Sequence, residues 1–350
     1  MDWKDLEGLL IREFHPAHLV EHAQQWIKSP LTSLEFADPL ISCIWIVLFI
    51  SFIIYILNFI TEDYGWTDRA WSLCPPFYAW FFALSVPAPQ NPLEKIKYIA
   101  LNHPRPLLIA VLITMWGFKH TYNFVRKGGF KLKGEDYRWK HVHAWKIFNI
   151  PVLGKLIWQL FSFGFIALYQ NVLIFMFTSP AYAAYKDAVI NIRGVQSLTL
   201  YDWILTATFL VFFVTETIAD QQQWKYYERR DKYRALSKAE QAKNADSDEA
   251  RGFNTSGLFA YSRHPNYFCE QCLWIVIYLF AVLVTRDPMH WTGLGILQLV
   301  FVIFIPSTQL TEEISASKYP AYQIYQKYVS RTIPSFIKPK INWNEEKKKN

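Results

Sequence analysis

Cysteine is scarce in this chain. The four cysteines in 350 residues, Cys43, Cys74, Cys269 and Cys272, all sit in or beside long apolar runs. Four such thiols give no disulfide framework, and Cys269 with Cys272 lacks the second ligand pair of a zinc site, so they read as apolar fillers. Also missing are a strand-borne G-x-G-x-x-G, a P-loop and an H-E-x-x-H, which leaves a Rossmann domain, a P-loop phosphoryl-transfer site and a zincin without support. No internal repeat or low-complexity domain is present. Only Ser237 to Arg251, rich in Lys, Ala, Asp and Glu, reads as a disordered, exposed stretch of loop. Residues 1 to 30 carry Asp2, Lys4, Asp5, Glu7 and Arg12 without an apolar core, so no signal peptide is expected there; the segment 1–39 reads as a non-cytosolic, candidate interfacial amphipathic helix.

Apolar surface is what the chain has in excess. It is 52% hydrophobic and 18% aromatic while carrying a net charge of +7, so its apolar residues must be segregated into blocks. Runs near 40–60, 67–86, 106–124, 152–177, 202–219, 268–285 and 291–310 each approach the roughly 20 apolar residues that cross a bilayer core. The expectation is an all-α, polytopic membrane protein of about seven transmembrane helices, with a cytosol-facing cofactor cavity. Pro75 and Pro76 inside the second run predict a kink.

With seven spans, the loops 61–66, 125–150 and 220–267 and the tail 311–350 share one side and hold 24 Lys and Arg. The other side holds 9. The positive-inside rule puts the basic side, and the C-terminus, in the cytosol. The end of the chain, with Lys347 and Lys348 fourth and third from the terminus, looks like a dilysine retrieval signal of the endoplasmic-reticulum membrane, which is read from the cytosol. The domain reading is therefore 1–39 as the N-terminal segment, 40–335 as the membrane domain and 336–350 as a basic cytosolic tail. Nothing in the chain points to nucleic acid.

Polar residues concentrate in four clusters that this topology places on one face. From Gly257 to Glu270 the chain packs Tyr261, Arg263, His264, Asn266, Tyr267 and Glu270 into a stretch that runs directly into an apolar helix. Arg can grip phosphate with a fixed fork of donors, His and Asn can donate or accept, and Pro265 stiffens the backbone between them. At the end of the fifth run, Glu216 and Asp220 lie four apart on one helical face, followed by Lys225, Arg229 and Arg230. Carboxylates in an apolar span are costly unless partnered or functional. Thr311-Glu312-Glu313 precedes Tyr319, Tyr322 and Tyr325 and then Arg331 to Pro334. Arg126-Lys127-Gly128-Gly129 and a run ending in Arg138, His141 and His143 add positive charge.

The pattern Glu216-Thr-Ile-Ala-Asp220, Gly257 to Glu270, Glu312-Glu313 and Tyr322-x-x-Tyr325 to Ile333-Pro334 resembles the membrane-embedded steroid 5α-reductase-like family, and more narrowly its poorly characterised C-terminal reductase-like branch. The specific part spans about 201–335. The resemblance implies NADPH as cofactor, hydride transfer to an electron-poor double bond, and a sterol, enoyl or isoprenoid-like lipid substrate among membrane lipids. It also implies that Glu216, Asp220, Tyr261, Arg263, His264, Asn266, Tyr267 and Glu270 surround the cofactor, with Arg229 and Arg230 suited to its phosphates and Glu313 in the later acidic pair. Asp68, His120 and Tyr122 are the candidate proton donors. The chain departs from the family at Cys269, where Gly is common, and in lacking clear counterparts of the phenol and carboxylate that polarise a steroid ketone. Two other readings stay open. Isoprenylcysteine carboxyl methyltransferases, which use S-adenosylmethionine, share Arg-His-Pro-x-Tyr and a later Glu-Glu pair, and a non-catalytic lipid-binding protein could keep the same fold.

Overall fold

The computed structural model describes residues 2–16, 18, 21, 24, 38–134 and 137–343. Most of the N-terminal segment beyond residue 16 and the dilysine at 347–348 lie outside the described residues, as does the side chain of Arg138. Every regular element among the described residues is helical. Helix α1 (Trp3–Glu13) starts with a capping box between Asp2 and Asp5. Next come α2 (Pro39–Thr61), capped by Asp38 with proline in its first turn, and α3 (Trp66–Leu84). Helices α4 (Pro92–Asn102) and α5 (Pro104–Arg126) meet at a 108° bend, and α6 (Leu153–Thr178) carries a π-helical segment, Ser162–Tyr169. They are followed by α7 (Pro180–Ile190), α8 (Leu200–Arg234), α9 (Pro265–Thr285), α10 (Gly293–Lys318) and α11 (Ala321–Tyr328).

Five of these, α2, α6, α8, α9 and α10, are long and apolar enough to cross a membrane, and six if α4 and α5 together make one broken span. The expected count of seven is not met, because α3 forms a helix in the expected place but is too polar. Its first turns carry Thr67, Asp68, Arg69 and Ser72, and Trp, Tyr and Pro dilute the rest. The break also falls elsewhere than expected: Pro75 and Pro76 stay inside one continuous helix, and the sharp bend lies just before Pro104. The expected disorder of Ser237 to Arg251 is overturned too. Ser237 caps a short helix Lys238–Lys243 and Ser247 caps Asp248–Arg251, while Asp248 accepts bonds from Thr255 N at 2.9 Å and Thr255 Oγ1 at 2.6 Å.

The chain forms two compact units, residues 1–206 with 276–298 and residues 207–275 with 299–350, so that α8, α9 and α10 each contribute to both. In the first unit α3 packs antiparallel on α5: Trp80 Nε1 donates to Thr114 Oγ1 at 2.8 Å, and a Cβ added at Gly117 would lie 2.5 Å from Pro76 Cγ. Glycine there lets the proline ring seat against the neighbouring backbone. Arg105 is bound on three nitrogens, to Asp202 through Nε (2.7 Å) and Nη2 (3.0 Å) and to Asp187 through Nη1 (2.9 Å). Gln196 ties the following loop to the same node by donating to Asp187 at 2.9 Å. In the second unit, Phe253, Tyr322, Tyr325 and Val329 form a buried cluster that seats α11.

Candidate functional site

The site is built in the second unit around the turn that enters α9. Pro265 occupies the first helical position, where a missing N–H costs nothing. The residues before it are strapped to the C-terminal segment by backbone bonds, Arg263 N to Ser330 O (2.9 Å), His264 N to Arg331 O (3.0 Å) and Ser335 N to Tyr261 O (2.9 Å). Ser262 Oγ adds a bond to Thr332 O at 2.7 Å.

The charged centre of this turn is Glu312 on α10, only 2% exposed. Arg263 grips it with Nε (2.6 Å) and Nη2 (3.0 Å), His264 Nε2 lies 3.1 Å away, Gln326 donates at 3.1 Å and Arg331 Nε stands at 3.4 Å. Arg263 Nη1 donates to the carbonyls of Gln326 and Val329. Four of the five guanidinium N–H groups are thus spent inside the protein. The Arg-His pair consequently fixes the strap and the loop around it, and the outermost cation is Arg331, whose side chain is 49% exposed. Tyr325 closes the back of this turn by donating its hydroxyl to Phe259 O, and burial holds its phenol well above the ordinary value.

Beside this clamp, Asn266 Nδ2 donates to Asp220 Oδ1 at 3.0 Å. Asp220 sits on one face of α8 with Glu216 a turn before it and Gln223 a turn after, and Glu216 is 4% exposed. Gln223 Oε1 is buried without a hydrogen-bond partner. The adjacent Gln222 accepts from Leu258 N at 2.8 Å, which brings the loop against α8. Gly257, at φ +63°, is required there, since an added Cβ would lie 2.4 Å from Gln222 Oε1.

The structure gathers most of the sequence candidates here and disperses the rest. Asp220 and Asn266 are bonded, and Arg263 and His264 share Glu312. Tyr267 packs its ring on His264 at 5.4 Å, while Glu270, one turn along α9, accepts from Trp274 Nε1 at 2.9 Å. Tyr261 lends its carbonyl to the strap. Arg229 pairs with Glu249 at 2.6 Å and Arg230 with Asp231 at 2.9 Å. Burial alone would raise Glu249, but the bond from Arg229 and its local backbone and Ser247 bonds outweigh it and hold the carboxyl below its ordinary value. Glu313 points the other way: it is exposed and accepts from Gln309 at 3.0 Å, so Glu312 is the acidic residue that faces the motif. Asp68, His120 and Tyr122 belong to the first unit. His120 stacks on Trp116 at 5.1 Å, and Tyr122, two positions on and so on another side of α5, is 63% exposed beneath the Arg126 guanidinium.

Gln222, Gln223 and the clamping role of Glu312 escaped the sequence reading. The run Gln221-Gln222-Gln223 after Asp220 was the available signal, since its polarity continues the face that Glu216 opens.

Comparison with known proteins gives a family and a relative. The model of a family described as protein of unknown function (DUF1295) matches residues 54–332. An uncharacterised protein of Schizosaccharomyces pombe is 34% identical over 275 residues, covering 78% of this chain and 73% of that protein. No solved structure matches. The family match spans the bend before α5, the polar face of α8 and the clamp on Glu312 alike, and the chain belongs to the DUF1295 family.

Proposed function

We propose that this chain is a membrane-embedded reductase that uses NADPH to saturate a carbon–carbon double bond of a lipid, of sterol, enoyl or isoprenoid-like type. The observation that carries the reading is the polar face of α8, where buried Glu216, Asp220 with its Asn266 partner, and the unpartnered Gln223 Oε1 line up in a helix otherwise apolar enough to cross a membrane. Burying an acceptor such as Gln223 Oε1 without a partner costs free energy that a donor on a ligand would recover. The donor set fits the cofactor: carboxylates accept from ribose hydroxyls, and an amide oxygen accepts from a carboxamide N–H. DUF1295 is itself associated with steroid 5α-reductase-like proteins.

In this reading each residue has a physical task. Asp220 fixes the rotation of the Asn266 amide, and thereby which of its ends donates. Glu216 and Gln223 would accept from the ribose and carboxamide ends. Arg331, Arg229 and Arg230, all at least partly exposed, would meet the phosphates, exchanging their present carboxylate partners for a more highly charged one. Arg263 and His264 act as positioning residues, holding the loop that presents Asn266. NADPH, when bound, supplies the hydride, and the apolar wall of the spans holds the lipid and excludes water.

The test is ligand-induced stabilisation of the purified protein in detergent, which any ligand bound only by the folded state must produce. NADPH should raise the melting temperature, and Asp220→Asn should weaken that effect about tenfold in concentration. Stabilisation by S-adenosylmethionine alone would instead establish the methyltransferase reading, and by neither the lipid-binding one. We also place the chain in the endoplasmic-reticulum membrane with a cytosolic C-terminus: with five spans or six, residues 127–152, 235–264 and 319–350 share one side and hold 17 Lys and Arg against 3 in 179–199 and 286–292, and the tail carries Lys347 and Lys348. A glycosylation acceptor added to the tail should then stay unmodified, and one added within 191–198 should be modified.

A further inference from the structure

The connection from Lys127 to Leu156, between α5 and the apolar length of α6, has two faces. Inward it packs Val142, Phe148 and Trp158, each under 10% exposed, with the Phe148 and Trp158 rings 5.0 Å apart. Outward it presents Phe130 (40% exposed), Leu132 (69%), Trp145 (52%), Ile147 (49%), Ile150 (42%) and Val152 (87%). Between and around them stand Lys127, Lys131, Lys133, Lys146 and Lys155, all exposed, and residues 127–156 hold seven Lys and Arg against two Asp and Glu.

This outward face is held in shape. Asp63, fully buried, accepts from Arg69 Nη2 at 3.0 Å and from Lys133 N at 2.9 Å, while the same Arg69 nitrogen donates to Lys131 O at 2.7 Å. Lys133 and Val152, at φ +60° and +62°, are two of the four non-glycine residues with positive φ among those described. A β-branched residue does not adopt that conformation by preference, and at Val152 it is held by the flanking bonds Leu153 N to Pro151 O and Gly154 N to Ile150 O, both 2.7 Å. What it achieves is the outward display of apolar side chains that water would penalise.

Which partner accepts such a face follows from its composition. Cores of protein interfaces are depleted in lysine, whereas here lysines are interleaved with the apolar residues. Aromatic and aliphatic side chains alternating with lysine match the boundary between acyl chains and headgroups. The patch is also continuous along the chain with the exposed apolar surface of α5, including Phe118 (73%) and Val125 (54%). We propose that residues 127–134 and 141–156 lie in the membrane–water interface and bind the headgroups of anionic phospholipids, the lysines pairing with the anionic groups while Leu132, Ile147 and Val152 enter the upper acyl region.

The test uses the full chain in nanodiscs, with a fluorophore on Leu132→Cys or Ile147→Cys and the unsubstituted protein as the labelling background. Lipid-borne nitroxides should quench both labels more than aqueous iodide does. Stronger quenching by iodide would show a solvated loop, and protection from both agents would show a protein partner; either result overturns the proposal. Fluorescent phosphatidylserine titrated into the detergent-solubilised protein should lose affinity about fivefold per lysine removed, in Lys131→Glu and in Lys131→Glu with Lys133→Glu. Competition by free phosphoserine as effective as that by the lipid, or no loss in the double variant, would equally overturn it.

Discussion

Two charge nodes, one in each unit and each with a buried carboxylate, invite comparison. At Arg105 a single cation serves two carboxylates, and three of its nitrogens are bound by Asp187 and Asp202. At Glu312 the balance is reversed: one carboxylate meets Arg263, His264 and Arg331. The first node carries net negative charge and is ringed by Gln196 and Thr199, which leave it nothing to recruit. The second carries surplus positive charge, and the surplus emerges at Arg331, half-exposed at the rim. A closed node stabilises a loop, whereas a node with charge left over can also attract an anion. That contrast is why the cofactor reading rests on the second unit.

Breaking the closed node should have the largest effect. Arg105→Met leaves two carboxylates facing each other, one of them fully buried at Asp202, and should cost about 3–5 kcal/mol, visible as lost yield or a sharply lower melting temperature. Glu312→Gln should cost less, about 2–3 kcal/mol, because the amide keeps one acceptor and Arg263 retains its two carbonyl partners. If Glu312→Gln proved as mild as a surface change, the clamp would not be what holds the strap.

Function sharpens the contrast further. Arg331→Ala should leave stability within about 1 kcal/mol, since the side chain is 49% exposed, yet weaken NADPH about fivefold to tenfold by titration. Equal NADPH affinity in the variant would mean that the surplus charge is idle. The smallest effect is expected at Glu249, whose partner Arg229 is 49% exposed. Its folded value lies below its ordinary 4.5, so its contribution is present above that pH and is lost as pH falls through the depressed value. Glu249→Gln should therefore narrow the gap to wild type on acidification, by less than about 1 kcal/mol in unfolding measurements.

The Arg263-His264 half of the Glu312 node was legible in the sequence, and its carboxylate and the Arg105 node were not, for a physical reason. Arg263, His264 and Asn266 are contiguous, so their chemistry shows as a motif. Arg105 meets partners 82 and 97 residues away that only folding unites. Long apolar runs announced α2, α6, α8, α9 and α10, because hydropathy over some 20 residues is a bulk property. It misjudged α3, where Asp68, Arg69 and Ser72 dilute the run. The polar composition of Ser237 to Arg251 concealed order, since two serine caps and the bonds of Asp248 hold the segment without any large apolar core. Glu312 and Glu313 are chemically identical in sequence, and only helical phase decides which one faces Arg263.

Phase has a further consequence in α6. Gly154, Trp158, Ser162, Ile166, Gln170, Ile174 and Thr178, all buried, recur at a stride of four. A straight α-helix drifts about 40° at each such step and would carry the later residues off that side within a few turns. The wider coil of Ser162–Tyr169 absorbs the drift, and it lets Ile166 O receive Thr67 and Gln170 receive Trp71. The helix thus behaves as a ratchet with one tooth added: deleting a single residue between 162 and 169 would leave its hydropathy almost unchanged while swinging Gln170 about 100° away from Trp71 and bringing Asn171 into its place. Length within this segment, more than residue type, is the quantity its sequence must preserve.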